Sequence, residues 1–167
     1  MALVALYLCL LLVCESALAA ALPTTGSALA RRQPSPSLWW EPSIDGTMTC
    51  DPPSYAEDLD LEPANWRQCA SLYSSLAGQN GTFHISNSPN ATAIPLLSHT
   101  DCILSVLPLD TDKGPYTIGS RDVETILGDG LRNFSRGTLL SVKGVVKCDV
   151  AGGGRAGLSW QISKSAG

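Results

Sequence analysis

Side-chain catalysis needs a base, a nucleophile or a ligand set at workable spacing, and few residues here qualify. The two histidines are His84 and His99. A nucleophilic site needs a nucleophile within hydrogen-bond reach of a base that a third group orients. His84 stands between Phe83 and Ile85 in an alternating run, so it falls on the solvent-facing side of a strand. His99 lies in a loop beside Asp101, and no serine occupies an elbow sequence. Carboxylates are more plentiful, and a pair flanking a bond could serve glycoside hydrolysis. They cluster instead ahead of a helix (Glu57, Asp58, Asp60, Glu62) and in a loop (Asp110, Asp112), which reads as a solvated acidic rim. Their spacing is not that of an EF-hand. Gly152-Gly153-Gly154 is followed by no Gly-Lys-Ser/Thr and joins two strands, so it is a hairpin tip and not a phosphate loop. No catalytic, cofactor-binding or metal-binding residue is expected.

The cysteines carry more information. Cys9 and Cys14 fall in an apolar leader, which leaves Cys50, Cys69, Cys102 and Cys148. An even number in a small secreted domain reads as two disulfides. No two of the four are separated by only two to four residues, as a zinc site would require. Three acceptor sequons, at Asn80, Asn90 and Asn133, suit glycosylation of a secreted chain. Asn80 and Asn90 lie in turn-like sequence and are the better two.

The N-terminus sets the compartment. Leu3 to Val13 is almost unbroken apolar sequence before Ala17-Leu18-Ala19, the pattern of a signal peptide over residues 1–19. It is shorter than the roughly 20 apolar residues of a membrane anchor. Residues 20–32 read as a pro-segment, rich in Pro, Ser, Thr and Gly and ending in Arg31-Arg32, a dibasic processing signal in flexible sequence. Cleavage there leaves 135 residues from Gln33, with 14 acidic and 9 basic side chains and a net charge of −5. That length fits one domain. Its acidity, without a basic stripe, argues against nucleic acid and anionic membranes. A secreted monomer is expected.

These residues need elements to hold them. Residues 33–62 read as an irregular N-terminal arm with adjacent Trp39-Trp40 and a short candidate strand from Gly46 to Cys50. The domain proper is expected over 63–164. Trp66, Cys69, Leu72, Tyr73 and Leu76 recur every three or four residues, giving a helix that starts near Pro63 and stops at Gly78. Thr82–Ser86 and Cys102–Val106 alternate and look like a β-hairpin with a long loop. A second helix starts at Ser120, which can cap it, with Val123, Ile126, Leu127, Leu131 and Phe134 as its apolar stripe and Asp122 and Glu124 in its first turn. Leu140 to Cys148 and Leu158 to Ile162 alternate as strands. Trp66 and Trp160 belong to apolar faces and read as core. The order predicts an α+β two-layer sandwich, two helices covering one face of an antiparallel sheet.

In order along the chain, Trp66-Arg67-Gln68-Cys69, Gly81-Thr82-Phe83, Asp101-Cys102, Ile118-Gly119-Ser120-Arg121-Asp122-Val123, Lys143-Gly144 to Cys148 and Leu158-Ser159-Trp160 make a recognisable set. With its cysteines, it resembles the secreted fungal necrosis-inducing effectors, homologues of the leaf-mould extracellular protein effector. The likeness covers about the last 100 residues. That family is similar in fold to a fungal viral killer toxin of split βαβ units, a class associated with calcium-channel interference. The resemblance implies a protein that acts outside the producing cell on a surface target of a host plant or a competing microbe. The chain departs from the pattern at Ile103-Leu104-Ser105, where an aromatic-glycine pair is usual, and in a long Asn87–Leu96 loop.

Three functional classes stay open: an effector or toxin that binds, a small cell-wall hydrolase, and a structural or adhesive wall protein. The missing acid/base constellation counts against the second, and the absence of repeats or a Ser/Thr stalk against the third. Four cysteines allow three pairings. Cys69 and Cys102 lie on apolar faces that a helix-on-sheet packing brings together. That favours Cys69–Cys102 with Cys50–Cys148, the rival being Cys50–Cys69 with Cys102–Cys148.

Overall fold

A computed structural model describes residues 37–86 and 92–165. Among the described residues, eleven strands and two helices follow one another. Leu38–Pro42 (β1), Ala56–Glu57 (β2) and Ala64–Asn65 (β3) precede helix α1, Trp66–Leu76. Then come Gly81–Ile85 (β4), Ile94–His99 (β5), Cys102–Pro108 (β6) and Tyr116–Gly119 (β7), which leads straight into helix α2, Ser120–Asn133. Ser135–Arg136 (β8), Leu139–Leu140 (β9), Val142–Asp149 (β10) and Arg155–Ser163 (β11) complete the chain. The α+β class holds: both helices pack with antiparallel sheets, and both disulfides form.

The β structure is divided. Five strands run in the order β2-β10-β11-β6-β5, three in the order β1-β4-β7, and three short ones in the order β3-β9-β8. At the centre of the larger sheet, Val142 faces Ile162, Gly144 faces Trp160, Val146 faces Leu158 and Cys148 faces Ala156. Period two puts all of these on one side, and Lys143, Val145 and Lys147 on the other. Trp160, Leu158 and Ile162 are fully buried. Gly144 is required by close packing: a Cβ there would lie 1.8 Å from the Ser54 carbonyl and 2.5 Å from the Trp160 ring.

In α1, Asn65 caps the N-terminus, its side-chain oxygen accepting from the Arg67 N–H at 2.9 Å. The helix thus starts three residues after Pro63. Cys69, Leu72 and Leu76 are buried, and Gly78 ends the helix in the left-handed region at φ +83°. Trp66 is 38% exposed and is not a core residue as expected: it opens the helix on its outer side. In α2, Val123, Ile126, Leu127 and Gly130 are buried. Gly130 has no side chain because a Cβ there would stand 3.1 Å from Ile162, so the glycine lets the helix approach β11.

Three expectations are corrected. The runs around Phe83 and Leu104 do not form one hairpin: β4 pairs with β1 and β7, whereas β6 pairs with β5 and β11. Alternation shows which face of a strand is buried, not which strand lies beside it. His99 accordingly ends strand β5 instead of lying in a loop. No strand spans Gly46–Cys50; the N-terminal strand is β1, and only Cys50 makes an isolated bridge, to Cys148. The remainder of the 37–62 segment is tied to β10 by backbone bonds from Asp51 N to Lys147 O and from Ser54 N to Val145 O.

Candidate functional site

Both disulfides join the expected partners. Cys69 on α1 bonds Cys102 at the start of β6, with Cα atoms 5.2 Å apart, and Cys50 bonds Cys148 at the end of β10, with Cα atoms 4.0 Å apart. Cys69, Cys102 and Cys148 are fully buried and Cys50 nearly so. The second bond pins the arm to β10, beside a recess that the arm forms with α2.

Polar contacts fix the arm over the start of α2. Asp122 sits one turn inside that helix, where its Oδ2 accepts from Gly119 N at 3.0 Å and from Thr49 N at 2.7 Å. Thr49 Oγ1 donates to the Thr117 carbonyl and accepts from Gly119 N. The helix is therefore capped from its third residue, and Ser120, expected as a cap, is wholly buried. Burial raises the Asp122 pKa above the usual carboxylate value against the lowering effect of these bonds.

Between arm and helix lies a cleft of about 250 Å³. Met48, Pro52, Pro53, Ile126 and Val146 give it apolar walls, and Asp51, Asp122 and Asp129 also line it. Tyr55 closes one end. Its hydroxyl donates to the Asp129 carboxylate at 3.2 Å and to the Thr125 carbonyl at 3.3 Å, and its ring meets Trp160 edge-on at 5.1 Å. Burial and the Asp129 charge push the tyrosine pKa up, so its proton stays in place at any physiological pH. Asp51 pairs with Arg155, and Asp129 with Arg132 at 2.9 Å. Residues Met48 to Tyr55 show no periodicity, and that is why the sequence does not reveal this recess.

The histidines do not assemble a catalytic site. His84 Nε2 lies 2.8 Å from Glu41 Oε2, and the Trp39 indole stacks on the imidazole at 4.8 Å and 5°. The expected solvent-facing His84 is thus half-covered by its cross-strand neighbours on β1. Trp40 turns to the other face, against Phe83, so the two tryptophans divide between a surface platform and the core. Asp101 accepts from the Asn65 N–H at 3.0 Å, a structural role. Of the acidic rim, Glu57, Asp58 and Glu62 pair with Arg136, Lys143 and Lys164. Asp110 packs by its backbone against the Tyr116 hydroxyl. Among the described residues, no cluster of three or more His, Cys, Asp or Glu could hold a metal ion, and no helix is long and apolar enough to cross a membrane.

The sequons differ in setting. Asn80 is half-buried, and its side-chain amide donates to the Ile44 carbonyl at 2.9 Å. Asn133 is exposed at the last residue of α2, so it is more open than Asn80, against the ranking expected from sequence. Asn90, Arg31 and Arg32 lie outside the described residues, as do residues 1–19 and 20–32, expected as signal peptide and pro-segment.

A small α+β domain stapled by two buried cystines, with a cleft formed by its arm, defines a class of compact cystine-stabilised domains. The particular family follows from the sequence match: the chain belongs to the Hce2 family, pathogen effectors described as candidate necrosis-inducing factors. The match spans residues 49–148, more than half of the chain, and contains all four bonded cysteines. No curated protein matches the chain significantly.

Proposed function

We propose that the protein is secreted through its signal peptide, trimmed after Arg32, and acts outside the producing cell as a necrosis-inducing effector. It works by binding a surface target of a host plant, without catalysis and without a cofactor. Membership of the effector family carries this reading, since the matched segment holds both disulfides. Two buried cystines suit a domain that must persist in an oxidising exterior. The engagement of His84 with Glu41 and Trp39 supports binding over hydrolysis.

Infiltration of the purified chain into leaves tests the reading, with the same preparation applied to cultures of competing fungi. Local necrosis is the expected result. Unaffected leaves together with arrested fungal growth would instead establish the killer-toxin alternative. A triple variant, His84→Ala with His99→Ala and Asp101→Ala, should keep its necrotic activity if its circular dichroism is unchanged. Loss of activity in a folded triple variant would revive the hydrolase. The mature protein should begin at Gln33 by intact mass, and a start near Ala20 would remove the pro-segment.

A further inference from the structure

We infer that the cleft between the arm and α2 receives one basic side chain, an arginine or lysine, from a partner protein. This deepens the binding reading above and rests on it.

Size is the first argument. Pockets that enclose whole small molecules measure about 300–1,000 Å³. At about 250 Å³ this cleft falls below that range and suits a single inserted anchor residue. Its walls are the second. Met48, Pro52, Pro53, Ile126 and Val146 offer apolar surface to an aliphatic stem, and Met48 stands 69% exposed at the mouth. Methionine and proline can cover such a stem without demanding hydrogen bonds from it.

Charge chooses the head group. Among the described residues, three carboxylates line the recess and no lysine or arginine does. Asp51 and Asp129 hold their arginines in exposed pairs: the Arg132 side chain is 75% exposed and that of Arg155 is 43% exposed. Exposed pairs contribute little, so an entering cation can share or replace them at small cost. Asp122, by contrast, is buried in the wall with its charge only partly compensated, and a cation nearby would relieve it. An anionic anchor would meet like charge in the recess, and a purely apolar one would leave Asp122 without a cation. A guanidinium has the donors to engage two of them at once.

The test uses the purified chain, isotopically labelled, titrated with N-acetyl-arginine methylamide and with its uncharged isostere N-acetyl-citrulline methylamide. The arginine probe should produce saturable amide shifts at Met48, Tyr55, Thr125 and Ile126. Citrulline should bind roughly tenfold more weakly or worse, the discrimination expected for one charge-assisted contact. Asp51→Asn with Asp129→Asn should weaken the arginine probe by a similar factor while the rest of the spectrum stays put. Equal binding of the two probes overturns the cationic assignment. Shifts confined to the acidic rim at Glu57–Glu62, or no saturable shifts, overturn the site. Leaf infiltration with the double variant separates this inference from the broader one: full necrosis despite lost arginine binding means that the protein acts through another surface.

Discussion

Between Val142 and Ser163 nearly every second residue of two long strands disappears into the core, whereas between Ser37 and Glu62 only Cys50 and Asp58 are buried. The first region is held by apolar area, worth about 25 cal/mol per Å² removed from water. The second is held by one cystine, the Asp122 carboxylate, a few backbone bonds to β10, and the pairing of β1 with β4. The cleft lies along the seam between them. A recess cannot form inside a close-packed core, so the loosely buried arm is what makes room for one. The stapled seam combines openness with a fixed shape.

The contrast can be broken from the core side with the largest effect. Trp160→Ala removes a fully buried ring that supports both Gly144 and Tyr55. It should cost about 5 kcal/mol, the upper end for buried tryptophan, in denaturant unfolding. It should also disorder the Tyr55 end of the cleft.

The staples come next. Replacing Cys50 and Cys148 by alanine frees a separation of 98 residues, and replacing Cys69 and Cys102 one of 33. Loop-closure entropy gives ceilings of about 4.7 and about 3.7 kcal/mol. The first pair should therefore lower stability more, and it should also expose the arm to proteolysis while leaving the core spectrum native. A larger loss from the second pair would mean that the arm contributes less than its attachment suggests.

Asp122 sharpens the comparison by charge. Asp122→Ala orphans the Thr49 N–H, leaves Gly119 N–H only its bond to Thr49 Oγ1, and should cost about 1–3 kcal/mol. Its pH dependence has a definite sign. Burial raises its pKa in the folded state, so the folded chain binds this proton more readily than the unfolded one. Its contribution to stability therefore improves as pH falls through the raised value and levels off below the unfolded value of about 3.9. Asp58 behaves oppositely: hydrogen bonding to Lys143 lowers its pKa, and its contribution, present above about 3.9, is lost as pH falls through the folded value. Melting curves between pH 7 and pH 3 should thus show the wild-type advantage over Asp122→Asn growing in acid, and that over Asp58→Asn shrinking.

The smallest effect belongs to the rim. Lys164→Ala removes an exposed pair with Glu62 and should leave the melting temperature unchanged within error.

The two regions also differed in how readable they were. Leucines and valines at period two and at period three to four located α1, α2, β10 and β11, because those periods come from local backbone geometry. The same logic located the faces of Cys69 and Cys102, and with them both cystines. It missed β5 and β7, which are short and carry prolines or glycines, and it joined β4 to β6 because strand pairing is not a local property. Trp66 was misread as core: it opens the helix and is 38% exposed, while Cys69, Leu72 and Leu76 of the same stripe are buried.

By itself the sequence determined the α+β class, the two principal helices, the cystine framework and the family, all of which rest on residue type and spacing. The tertiary structure decided which strands neighbour each other, that Trp39 and Glu41 would close over His84, and that Met48 to Tyr55 would face α2 across a cleft. The reason is physical. Local periodicity is set by backbone torsions over a few residues, but a recess arises where segments some 70 residues apart, such as Thr49 and Asp122, meet through a handful of polar bonds. Those bonds leave no repeating mark on the chain.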